Sequence, residues 1–169
     1  MKRTTSNLTM IGLFMALICI ATMFFKVPIP YGYAHLGNGF IFLAAALTGN
    51  FGAMIAAGFG SALADMLGGW YAWMLPTLII KSIMGLVTAY LMPKPANLKL
   101  AKTFLAVLSG TVVMVLGYTV AGGIMYGSVA SGIAQIPGLI AENVVGILLF
   151  YIVGSRLFKA NISKYFSSN

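Results

Sequence analysis

Apolar residues fall into five runs, at positions 8–25, 40–67, 71–92, 103–126 and 137–157, separated by short polar or turn-forming segments. A helix needs about 20 residues to cross a hydrocarbon layer about 30 Å thick, so each run is long enough for at least one crossing. The second run is too long for one upright helix. It reads either as one long tilted helix or as two short ones hinged at Thr48-Gly49-Asn50, where Gly and Asn favour a turn.

Charge decides between these readings. Lys and Arg concentrate in three clusters, Lys2/Arg3, Lys94/Lys99/Lys102 and Arg156/Lys159/Lys164. Loops on the cytoplasmic side carry the excess of basic residues. All three clusters share a side only if an even number of crossings separates neighbouring clusters. A hinge at Gly49-Asn50 gives four crossings and then two. The expectation is an all-α integral membrane protein: one domain over residues 1–169, a bundle of six transmembrane helices, both termini cytoplasmic. The run at 8–25 is longer than the apolar core of a signal peptide. Phe24, Phe25 and Lys26 follow it in place of a small-residue cleavage site, so it reads as an uncleaved first span.

Composition agrees. The chain is 60% hydrophobic and 7% charged, with a mean hydropathy of +0.99. A soluble fold of 169 residues could not bury that much apolar surface. The net charge of +8 does not indicate nucleic acid, because the basic residues occupy gaps between apolar runs. Cys19 is the single cysteine, which excludes an internal disulfide and a cysteine zinc cluster. His35 is the single histidine, so no metal site is expected. No G-x-S-x-G, H-E-x-x-H or P-loop motif is present. The reading is therefore a non-enzyme, with no cofactor and no ATPase of its own.

Three charges lie within apolar runs: Asp65, Lys81 and Glu142, the first and last being the only acidic residues. Intramembrane charge is costly and usually functional. Pro76 and Pro137 each stand five residues before a charge. If each proline opens its helix, Lys81 and Glu142 sit at one depth, about 7 Å below the outer boundary. Asp65 reaches that level from the third helix. The outer segments 26–38, 68–75 and 127–136 are rich in aromatic and polar groups. Tyr31, Tyr33, His35 and Asn38 occupy the first, and Trp70, Tyr71 and Trp73 the second. Tyr118 and Tyr126 lie on the outer part of the fifth helix, and Asn143 follows Glu142. Rings with a few convergent polar groups suit a flat heterocycle. An interfacial aromatic belt accounts for some of these rings, Trp70 and Tyr71 most readily. Gly37 and Gly39 suggest a tight loop over the cavity. Two further readings stay open: a buried ion pair that only fixes packing in a membrane scaffold, and a proton-coupled carrier relaying through Asp65 or Glu142.

Small residues form a ridge at Gly52, Ala56, Gly60 and Ala64 on the third helix, which suits close helix packing. The shorter pair Gly12 and Ala16 on the first helix suits packing within the chain or against a partner.

The stretch His35-Leu36-Gly37-Asn38, the Ala-rich second helix, Gly49-Asn50-Phe51-Gly52, Gly60-Ser61 with Asp65 and Gly68-Gly69, then Pro76-Thr77 with Lys81 and Gly85, resembles the substrate-binding S components of energy-coupling factor (ECF) transporters. Within that family it is most similar to the pyridoxine or hydroxymethylpyrimidine type. The resemblance implies a vitamin-binding membrane subunit in the bacterial plasma membrane. Such a subunit takes its ligand in an outward-facing cavity closed by the first loop, here with His35, Asn38, Asp65, Trp73, Lys81, Tyr118, Tyr126, Glu142 and Asn143 as candidate binding residues. It also implies partners: the transmembrane coupling protein EcfT and two ABC ATPases. Gly12 and Ala16 stand where the family's docking helix often carries Ala-x-x-x-Ala.

Overall fold

The structure is a computed structural model that describes residues 2–29, 32–93 and 100–159. Tyr31, Lys94, Lys99 and Lys164 lie outside the described residues, as do the side chains of Lys2, Arg3 and Lys159. The element order is α1 (Lys2–Phe24), β1 (Lys26–Ile29), β2 (Gly32–His35), α2 (Gly37–Leu47), α3 (Gly49–Leu67), α4 (Tyr71–Leu91), α5 (Leu100–Met125), α6 (Val129–Ala134) and α7 (Ile136–Lys159). Four stretches are long and apolar enough to cross a membrane: Asn7–Phe24, Tyr71–Leu91, Leu100–Met125 and Val129–Phe158.

The expected break in the second run is present. Gly49 takes a φ of +73°, a left-handed conformation that ends α2 and restarts the chain as α3. The Thr48 hydroxyl donates to the Ala44 carbonyl at 2.8 Å and helps satisfy the last turn of α2. With 11 residues, α2 is about 17 Å long and apolar on all sides. It is buried along nearly its whole length and packs on α1, α3, α4 and α7. A helix surrounded by protein need not reach either bilayer surface to satisfy its backbone.

Three departures from the sequence expectation shape the site. Lys26–Ile29 and Gly32–His35, expected as loop in an all-α chain, form an antiparallel hairpin pairing Lys26 with His35 and Ile29 with Gly32. The segment 127–136 contains the short helix α6. Pro76 does not open its helix, because α4 begins at Tyr71 and carries the proline inside. Lys81 is therefore ten residues into α4, about 15 Å along it, whereas Glu142 is six residues into α7, about 9 Å along. The two still meet, so α4 extends further than α7 at the hairpin end.

Glycines set the close approaches. The ridge Gly52, Ala56, Gly60 and Ala64 is buried. A Cβ on Gly60 would come within 2.8 Å of the Met15 carbonyl on α1. On the α3–α4 seam, a Cβ on Gly85 would lie 2.6 Å from the Ala53 carbonyl and 2.9 Å from the Ala57 methyl. Gly39 and Gly146 let α2 and α7 touch, with hypothetical Cβ distances of 2.6 Å to Leu149 and 2.8 Å to Asn38. Gly37 and Gly39 thus serve helix packing in the first turn of α2 and not a loop. Below the site, Ile18, Ile41, Phe42, Met84 and Val107 form a fully buried apolar layer. Large apolar side chains such as Phe51, Leu116, Ile124 and Ile152 point outward.

Gly85→Val would force α3 and α4 apart. Overpacking of this kind costs about 1–3 kcal/mol, so the variant in detergent should melt at a lower temperature than wild type, while Ala16→Val, on an exposed face, should not.

Candidate functional site

The site is assembled at the hairpin end from α1, β2, α2, α3, α4, α5 and α7. Lys81 of α4 is fully buried, and its Nζ donates to Asn38 Oδ1 at 2.6 Å and to Glu142 Oε1 at 3.4 Å. His35 Nε2 lies 3.3 Å from the same carboxylate oxygen. The backbone N–H of Gly37 donates to His35 Nδ1 at 3.0 Å, which fixes Nδ1 as an acceptor. The ring proton therefore resides on Nε2 and points at Glu142. Burial first, and the Lys81 charge second, hold the His35 pKa well below 6.5, so the imidazole is neutral at physiological pH.

Behind this trio, the Asn38 amide donates to Asn143 Oδ1 at 3.3 Å, and the Asn143 amide donates to the Leu139 carbonyl at 2.8 Å. Both amides also approach the Met114 sulfur, at 3.1 and 2.9 Å. A buried lysine and a buried glutamate each carry a desolvation penalty, which their mutual attraction and these extra hydrogen bonds offset. Losing one partner alone would leave an uncompensated charge.

A cleft opens beside the ion pair. Thr22, Tyr33, His35, Ser61, Asp65, Trp70, Trp73, Thr77, Lys81, Met114, Tyr118, Gln135, Leu139 and Glu142 line it. Its atom-free space is about 480 Å³ with the open mouth counted. Aromatic rings form the walls. Tyr33 packs on Trp70 at 5.2 Å between centroids, and Trp73 on Tyr118 at 5.7 Å. The Lys81 ammonium sits 5.4 Å from the Tyr118 ring centre. The Tyr33 hydroxyl donates to the Asp65 carboxylate, tying the hairpin to α3. Burial, then the Asp65 charge, keep the Tyr33 phenol protonated above its usual range.

Of the nine residues expected to bind ligand, His35, Asp65, Trp73, Lys81, Tyr118 and Glu142 line the cleft. Asn38 and Asn143 stand behind it as supports of the ion pair. Tyr126 is half-exposed and accepts from the Trp73 indole N–H at 3.4 Å, so it props a wall from outside. Trp70, assigned most readily to an interfacial belt, lines the cleft, whereas Tyr71 is exposed. Ser61, Thr77 and Met114 were missed. Each lies four residues before an expected site residue, Asp65, Lys81 and Tyr118 respectively, and so shares its helix face. Gly12 and Ala16 are exposed, and a Cβ on Gly12 would meet nothing within 4 Å. Among the described residues, no group of three or more His, Cys, Asp or Glu side chains could hold a metal ion.

Residues 2–159 match the family described as ECF-type riboflavin transporter, S component. The chain belongs to that family. As an ECF S component with several apolar helices, it is a multi-pass membrane protein of vitamin uptake. The chain is also 34% identical over 146 residues to a Pyrococcus woesei protein described as "Uncharacterized protein in gap 3'region", a match covering 83% of this chain and 96% of that protein.

The lowered His35 pKa makes this S component acid-sensitive. The unfolded chain binds a proton at about 6.5, and the folded chain only well below that. The stability that His35 contributes is thus fully present above pH 6.5 and lost as pH falls below it. The component due to His35 is isolated by comparison: as pH is lowered from about 7.5 to 5.5, the wild-type melting temperature should fall relative to that of His35→Gln.

Proposed function

We propose that this chain captures a small water-soluble vitamin at the extracellular face and delivers it inward as the substrate-binding subunit of an ECF-type ABC importer. The observation that carries the reading is the cleft: a buried Lys81–Glu142–His35 floor beneath walls of Tyr33, Trp70, Trp73 and Tyr118. Flat rings stack on such walls, and the charged floor orients polar substituents. Family membership supports the same role.

For the ligand, the reading is a single heteroaromatic ring with hydroxymethyl groups, of the pyridoxine or hydroxymethylpyrimidine type. The family's printed name points to riboflavin. A single ring would displace the cleft walls less than a three-ring flavin, which favours the smaller ligand.

The bilayer reading is six crossings with both termini cytoplasmic. Support comes from the grouping of basic clusters and from the α2–α3 junction at Gly49. The hairpin end with its cleft then faces outward. The coupling protein EcfT, carrying two ABC ATPases, is the proposed partner. The smooth exposed strip at Gly12 and Ala16, beside the half-exposed Leu13 and Ile20, is the proposed docking face.

Two variants separate the sites. Lys81→Met combined with Glu142→Gln removes both charges together, so the fold should survive while vitamin affinity falls at least about tenfold, the size expected for losing a charge-assisted hydrogen bond. Ala16→Trp should keep wild-type affinity and lose co-purification with the ATPases. Unchanged binding in the double variant, measured by titration against a vitamin panel, would remove the cleft from the mechanism.

A further inference from the structure

Two buried polar atoms on the cleft wall are left over once every contact described above is counted. Ser61 is 1% exposed and Asp65 is 4% exposed, and both line the cleft from α3. Ser61 Oγ and Asp65 Oδ2 have no hydrogen-bond partner among the described residues. A buried, unsatisfied oxygen costs about 1–3 kcal/mol, and proteins rarely leave two together without a use. The pair lies four residues apart on one helix, so the atoms share a face about one turn, roughly 6 Å, apart along the helix axis.

The charge distribution around them has a direction. Lys81 and Glu142 neutralise each other across 3.4 Å. No Lys, Arg or His side chain among the described residues forms an ion pair with Asp65. Its carboxylate takes a hydrogen bond from the Tyr33 hydroxyl, Thr77 of α4 also interacts with it, and Oδ2 is left without a partner. Lys26 lies over the Tyr33 ring at 5.2 Å, on the hairpin. Of the cleft-lining groups, α3 therefore contributes the acceptor oxygens left open, whereas the Lys81 ammonium on α4 is already engaged by Asn38 and Glu142.

We infer that Ser61 and Asp65 form a subsite for a hydrogen-bond donor on the ligand, a ring amino group or a hydroxyl. The inference rests on the proposed vitamin-binding role and narrows it. The ligand carries a donor substituent on the edge that meets Asp65. Asp65 Oδ2 accepts a hydrogen bond from the donor group, and the Ser61 hydroxyl, one turn further from the hairpin, accepts a second hydrogen bond or donates its own O–H to the ligand. Methyl or hydrogen at that ligand position leaves both oxygens unsatisfied, and this penalty is the source of selectivity.

The test uses matched ligand pairs on the purified full-length protein: 4-amino-5-hydroxymethyl-2-methylpyrimidine against its 4-deamino analogue, and riboflavin against lumiflavin, in which a methyl replaces the hydroxylated side chain. Wild type should bind the donor-bearing member of at least one pair at least about tenfold more tightly, the factor for one well-placed hydrogen bond. Asp65→Asn should erase most of that ratio, and Ser61→Ala part of it, while the affinity of the donor-lacking member changes less than threefold. Ser61→Ala is nearly isosteric, so it keeps the test valid if Asp65→Asn fails to fold. A wild-type ratio near one, or variants that weaken both members equally, would overturn the subsite and leave only ordered water at these oxygens. If wild type binds no member of either pair nor any other vitamin, the vitamin-binding reading itself falls, and the subsite with it.

Discussion

Everything at the hairpin end depends on one constraint: a fully desolvated lysine must keep a counter-charge. Lys81 comes from α4 and Glu142 from α7, and neither helix could hold its charge in an apolar bundle alone. The pair fixes how far α4 slides relative to α7. Asn38 completes the ammonium's coordination from α2, and His35 completes the carboxylate's from the hairpin. Four elements from distant parts of the sequence are thereby locked to one another through two charged groups. The crossing of Gly39 and Gly146 serves the same arrangement, since a side chain at either would push Asn38 away from α7.

The aromatic cleft is built on that lock. Trp73 and Tyr118 pack beside the ammonium, and Tyr33 reaches from the hairpin to Asp65. The hairpin is held at both ends of its second strand, by the Tyr33 hydroxyl on α3 and by the His35 ring between Gly37 and Glu142. A neutral His35 suits this position, because a second cation beside Lys81 would compete for the one carboxylate.

The three charges within apolar runs, the break at Gly49 and the small-residue ridge on α3 were legible in the sequence because each is a local exception to an apolar pattern. An acid among leucines and alanines announces itself. The hairpin was not legible: Lys26-Val27-Pro28-Ile29 carries a proline and little alternation, and it becomes a strand only because Gly32–His35 folds back on it. Pro76 misled because a proline is tolerated inside a buried helix where neighbours re-satisfy the backbone, so the depth assigned to Lys81 was too shallow. Ser61, Thr77 and Met114 are ordinary residues in helical apolar runs. Their roles follow from sharing a face with Asp65, Lys81 and Tyr118, a relation that a four-residue step from each charged or aromatic candidate would have exposed. Asn38 and Asn143 were found as polar exceptions, yet their position behind the ion pair depends on the α2–α7 crossing, which no short stretch of sequence encodes.

The side chains of Ile18, Ile41, Phe42, Met84 and Val107 form a fully buried apolar cluster beneath the cleft. A polar molecule seated above them would meet a steep desolvation barrier to moving further inward.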